Sequence, residues 1–179
     1  VAVEGKAVSQ HTPQTPHSPS EPFSVGISVR GYETDTQGHL NQSVYLQYAE
    51  HARWSALRAA GIEQRDLIGK GVGPVALENT VRYRSELRAG DEVEVTCRFV
   101  WGERKTFRIE QTVVRADGRV AATVSGLGGL LDLKGGKIVE YPTILAVRLF
   151  GSSKMKTMKT IAGLRAAMYV KFCSGPTPR

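Results

Sequence analysis

The stretch from Tyr32 to Glu50, YETDTQGHLNQSVYLQYAE, gathers most of the side chains in this chain that have the types and spacing to do chemistry. Asp35 stands just ahead of a long helix-like run, and aspartate is ionised at neutral pH. The first turn of a helix carries amide N–H groups with no partner inside the helix, and its dipole favours a nearby anion. A negative oxygen beside such donors suits attack on a carbonyl carbon whose oxygen gains charge. Loss of one such donor costs roughly 3–4 kcal/mol in other enzymes. The amides around Asn41, Gln42 and Ser43 are the candidate donors. Asp35 either attacks directly, giving a covalent intermediate, or orients and deprotonates a water; both remain open. Plainer roles stand beside these: a turn cap for Asp35, backbone freedom alone for Gly38, and a loop-to-helix tie for Asn41. His39 is a general acid, a substrate orienter, or a loop histidine bonded to a carbonyl. Glu50 lines the site, or pairs with Arg53 or Arg82.

These residues need a strand before them and a helix after. FSVGISVRGYE alternates Phe23, Val25, Ile27 and Val29 against small or polar residues, a period-two strand. TDTQGHLNQ breaks that period with turn formers. From Ser43, an expected N-cap, Val44, Tyr45, Tyr48, Ala49, Ala52, Ala56, Leu57 and Ala60 recur at three and four, a broad apolar helical stripe. Gly61 is placed to end the helix in a left-handed cap, and EQRDLIGKG predicts a short helical turn. Four strand-like runs follow, VGPVALENTVRYRS, GDEVEVTCRFVWG, RKTFRIEQTVVRA and RVAATVSGLGGLLDL, with Asp117-Gly118 as a hairpin signal. Short turns predict antiparallel neighbours. The expected fold class is α+β: an antiparallel five-stranded sheet rolled around one long central helix.

The chain has 179 residues, 41% hydrophobic, enough for one domain with its own core. A polar leader over residues 1–22 is expected to be disordered, a folded domain spans 23–145, and a basic tail spans 146–179. The formal charge of +7 is carried by that tail: Arg148, Lys154, Lys156, Lys159, Arg165, Lys171 and Arg179 occur there with no acid. The body is therefore balanced, and the charge gives no reason to expect a nucleic-acid partner. The two cysteines, Cys97 and Cys173, form no metal or disulfide pattern. With no signal-like or membrane-spanning segment, a cytoplasmic protein is expected.

The motifs DTQGHLN at 35–41, VYLQYAEHAR at 44–53 and YRSELRAGDEV at 83–93 resemble, in order and separation, those of hot-dog-fold acyl-CoA thioesterases of the 4-hydroxybenzoyl-CoA thioesterase-like group. The resemblance covers about residues 23–142. It implies a sheet wrapped around a central helix, homodimers or homotetramers, and hydrolysis of an acyl-CoA thioester without metal or cofactor. Asp35 falls on the catalytic aspartate position, Gly38 on the turn glycine, His39 and Asn41 on a G-H-x-N form, and Glu50 on an acidic helix position. Two departures are Gln42, where many relatives have a second Asn, and Glu86, where many have Pro. On this reading Arg82, Arg84, Arg104 and Lys105 are candidates for the CoA phosphates, and Tyr45 helps to shape the acyl site. The alternatives are a hot-dog hydratase or dehydratase, whose H-F-P setting is absent, and a non-catalytic acyl-binding module.

Overall fold

The computed structural model describes residues 22–101 and 105–139. The expected leader up to residue 21, the basic tail and Arg104 lie outside the described residues. The elements run β1 (Phe23–Ser28), a 3-10 turn (Gly31–Glu33), α1 (Gln42–Ala59), α2 (Gln64–Gly69), β2 (Val72–Tyr83), β3 (Glu92–Trp101), β4 (Thr106–Arg115), β5 (Val120–Asp132) and β6 (Ile138–Val139). The sheet is antiparallel in the order β1-β3-β4-β5-β2. The two-residue β6 pairs with Leu130 and Leu131 as a sixth strand beyond the expected five.

The apolar stripe of α1 lies on the sheet through Val44, Tyr45, Tyr48, Ala49, Ala52, Ala56 and Leu57. Ala49 and Ala52 are fully buried. Their small side chains let the helix backbone come close to the sheet, whose inner face supplies Val95, Val113, Ala122 and Val124, all essentially inaccessible. Close packing of this kind makes even one methylene count. Gly61 takes φ +73 and closes the helix as expected, and Gly118 takes φ +82 in the β4–β5 hairpin.

Three local expectations are corrected. The first strand ends at Ser28 rather than continuing to Glu33. Val29 bonds instead to the backbone of Gly90 and Asp91, and residues 31–33 turn. The helix cap is Asn41, not Ser43: its Oδ1 accepts from Ser43 N at 3.0 Å and from Ser43 Oγ at 2.9 Å. The cap sits one residue before the first helical position, and Ser43 is already inside the helix. Asn41→Ala should lower stability by about 1 kcal/mol, read as an earlier urea midpoint at unchanged slope.

The third correction is topological. β2 does not pair with β3, which follows it; it pairs with β5 along nearly its whole length. Residues 84–91 are tied elsewhere. Leu40 N donates to Leu87 O at 2.7 Å, Gly90 N to Val29 O at 2.9 Å, and Arg115 Nη1 to Glu86 O at 2.7 Å. The fully buried Leu87 anchors the crossing. This crossover brings the text of the third motif against the loop that holds Asp35. Pro74 is tolerated in β2 because that strand is the sheet edge.

Candidate active site

Between β1 and α1 the chain makes a small closed loop. Thr34 and Leu40 form an isolated bridge, Asp35 N donates to His39 O at 2.7 Å, and Gly38 N donates to Asp35 O at 3.0 Å. Gly38 takes φ +74, a conformation that L side chains rarely adopt, so a glycine is required there. The Asp35 carboxylate is divided in its duties. Its Oδ1 accepts from Gln37 N at 2.8 Å and from His39 N at 3.1 Å. Its Oδ2 has no partner among the described residues, and the side chain is solvent-exposed. One oxygen thus caps the loop while the other stays unpaired among the described residues.

An open cleft of about 360 Å³ lies beside it. Asp35, His39 and Gln42 line one wall, and Tyr83, Arg84 and Glu86 line the other, with Tyr45 between. Of the three amides at the helix start, two are occupied. Asn41 N donates to Glu33 O at 2.9 Å and Ser43 N donates to the Asn41 cap. Gln42 N has no partner among the described residues. Gln42 is the first helical residue, so its N–H is one of the donors a helix cannot satisfy itself. Tyr83 Oη donates to Gln42 O at 3.1 Å and packs edge-on against Tyr45, with ring centroids 5.1 Å apart. Burial pushes the Tyr45 phenol up from its ordinary value, so it stays neutral in this wall.

His39 meets two groups that the sequence did not single out as site residues. Arg88 Nη2 lies 2.9 Å from its Nε2, and Glu86 Oε2 lies 3.7 Å from the same atom. With Arg88 donating, Nε2 accepts and the neutral ring carries its proton on Nδ1. A protonated Nε2 would face Glu86 instead, so the two contacts belong to different proton states. Arg88 also donates to Glu86 Oε1 at 3.1 Å, and that hydrogen bond holds the Glu86 carboxyl below the usual range.

The other expected site residues separate. Asn41 is the helix cap. Arg84 joins the cleft, but Arg82 lines a different groove with Thr80, Arg108 and Ser125. Lys105 is exposed at the far end of the strands. Its neighbour Thr106 pairs with Gly129, whereas Arg84 N donates to Ala121 O. Eight residues of strand separate those positions, on the order of 26 Å. Glu50 is exposed and lines a second cavity of about 300 Å³ between α1 and the sheet. Eight helical residues put it about 12 Å along the axis from Gln42. Leu57, Val75, Phe99 and Phe107 make much of that cavity apolar, and Arg53 enters it while donating to Gln111 Oε1 at 3.1 Å. Its β5 wall is open because residue 128 is glycine: a Cβ there would stand 2.9 Å from the Phe107 ring. Gly128→Ala should therefore displace that ring and cost about 1–3 kcal/mol, measured by chemical denaturation.

One more residue near the loop was missed. Glu33 is only 8% exposed, a buried carboxylate in a segment that reads as strand. It accepts from Arg30 N at 2.8 Å, Arg30 Nη1 at 3.2 Å and Tyr48 Oη at 2.5 Å. Burial pushes its carboxyl up, and the bonds from Tyr48 and Arg30 pull it down further, leaving it below the ordinary range. Its partner Tyr48 is raised, first by burial and then by the same bond. Nothing in the sequence marks Glu33 as buried, because the Tyr48 hydroxyl reaches it only once α1 has packed.

An antiparallel sheet cradling one long helix, with a carboxylate loop at the helix start, defines a hot-dog α+β protein. The chain belongs to the thioesterase-like superfamily, whose family model matches residues 29–149. It is similar to an acyl-acyl carrier protein thioesterase of Arabidopsis thaliana, at 35% identity over 44% of this chain and 42% of that one. It is also similar to the long-chain acyl-CoA thioesterase FadM of Escherichia coli, at 27% identity over 60% of this chain and 82% of that one. Among solved structures, a hypothetical protein of Aquifex aeolicus matches with a TM-score of 0.65 and 30% identity, covering 72% of this chain and 99% of that chain. The chain spans less than half the length of the first curated relatives it matches. No helix among the described residues is long and apolar enough to cross a membrane.

Proposed function

We propose that this protein hydrolyses acyl thioesters, with acyl-CoA as the substrate, to a free acid and a thiol. The observation that carries the reading is that one cleft is lined both by Asp35, whose Oδ2 has no partner among the described residues, and by Gln42, whose N–H has none there either. A thioester carbonyl between them would receive an oxygen from one side and a hydrogen bond to its own oxygen from the other. Asp35 either attacks the carbonyl carbon, giving a mixed anhydride that water cleaves, or takes a proton from a water that attacks. In both routes the carbonyl π electrons move onto the oxygen facing Gln42 and return as the C–S bond breaks. The sulfur leaves as a thiolate and takes up a proton from water.

Arg84 in the cleft wall supplies a cation for a phosphate of the CoA arm, and Arg82, near the end of β2, lines a separate groove. The relatives support the thioester class and differ in carrier, since one acts on acyl-acyl carrier protein and another on acyl-CoA. A homodimer or homotetramer is part of the proposal, and β2 at the sheet edge offers unpaired backbone for such a contact. The buried free thiol of Cys97 suits a reducing compartment such as the cytoplasm. The test is thiol release from aliphatic and aromatic acyl-CoAs and from acyl-acyl carrier protein. Turnover of at least one supports the reading. Tight binding with no thiol release across the panel would instead favour the acyl-binding module.

A further inference from the structure

We propose that Glu33, held by Tyr48 and Arg30, is the positioning residue that aims Asp35 at the substrate carbonyl; the inference rests on the thioesterase reading above. Glu33 is placed at the base of the loop and touches both of its ends. Its side chain is fixed to α1 through Tyr48 Oη at 2.5 Å and to the segment that follows β1 through Arg30 N at 2.8 Å. Its own carbonyl accepts Asn41 N at 2.9 Å. Asn41 in turn caps α1 and directly precedes Gln42, the residue with the free amide. The Glu33 side chain thus fixes where the Asp35 loop begins, while its backbone carbonyl, which any residue would supply, holds Asn41 ahead of the oxyanion donor. The position of the attacking oxygen relative to that donor therefore depends on the Glu33 side chain.

A buried carboxylate is costly unless its oxygens are well bonded. An apolar residue would fill the same space more cheaply if filling space were all that was needed. Three donors converge on the two Glu33 oxygens. Glutamine in its place keeps one acceptor: with its oxygen at the Oε2 position it still accepts from Arg30 N and Tyr48 Oη, and its NH2 then faces the Arg30 guanidinium in place of Oε1. The charge that holds Arg30 is gone and Arg30 Nη1 loses its acceptor, so the Arg30–Glu33 segment at the base of the loop shifts. A shift of about 1 Å in a reacting group can cost on the order of a hundredfold in rate.

Glu33→Gln and Tyr48→Phe should each lower kcat at least about tenfold while KM stays within about twofold, since Gln42, Tyr83 and Arg84 are untouched. Rates are taken per folded site, well below the melting temperature. Val113→Ala, in the core away from the loop, supplies a variant of comparable stability loss that should keep wild-type kcat. The decisive comparison is Glu33→Gln in an Asp35→Asn background. A residue that acts only by aiming Asp35 has nothing left to aim, so residual activity should not fall further. If Glu33→Gln keeps wild-type kcat, or its loss multiplies that of Asp35→Asn in full, the positioning role is wrong. If wild type releases no thiol, the thioesterase reading has failed first. In that case Glu33 positions nothing catalytic.

Discussion

Asp35→Asn should lower kcat/KM for thioester hydrolysis by at least about a hundredfold, in the range that positioned acids, bases and nucleophiles usually contribute. The substitution is nearly isosteric. The asparagine oxygen can still accept from Gln37 N and His39 N, the two bonds made by Asp35 Oδ1. The loop and the fold should therefore persist, with a melting temperature within a degree or two of wild type. What disappears is the negative Oδ2, which neither attacks nor accepts a proton once it is an amide nitrogen. KM should change little, because that oxygen acts on the transition state more than on the bound substrate. Steady-state rates on the best acyl-CoA, with a melt on the same sample, decide the matter. Undiminished turnover in the variant would leave Asp35 as a loop cap and nothing more.

Gln42→Pro should cost about 10²–10³ in kcat, the usual effect of removing one oxyanion donor. A backbone N–H is hard to delete, but the first helical position is where proline is best tolerated. Its fixed φ suits the helix start, and the missing N–H has no helical partner to lose. The residue before a proline must be extended, and Asn41 already is, at φ −59 and ψ 137. Gln42→Ala is the control: it removes the side chain, keeps the amide, and should retain most activity. Equal losses in the two variants would move the oxyanion contact to the Gln42 side chain. Loss in neither would remove Gln42 from the chemistry.

Much of the fold is legible from the chain alone, because periodicity is a local property. The alternation of β3 and β4 and the alanine-rich stripe of α1 each predict a buried face within a short window. The Asp35 loop is legible for the same reason, since Asp, Gly and Asn have strong turn preferences. The pairing of β2 with β5 is not legible. Adjacent strands in sequence usually pair, and only the ties of residues 84–91 to Leu40 and Val29 overrule that default. Arg82 and Arg84 are both candidates for the CoA phosphates in the sequence, yet they line different grooves: Arg82 is in β2, and the chain leaves that strand after Tyr83.

By itself, then, the sequence determined a carboxylate loop set before an amphipathic helix, the helix and strand periods, and the family. These follow from near neighbours along the chain, where spacing fixes geometry. The tertiary structure alone decided which amide at the helix start is left free, that Glu86 and Arg88 face His39, and that a buried Glu33 joins both ends of the loop. Those facts depend on groups far apart in sequence competing for the same donors and acceptors. Such competition is settled only when β1, α1 and the 84–91 crossover pack together.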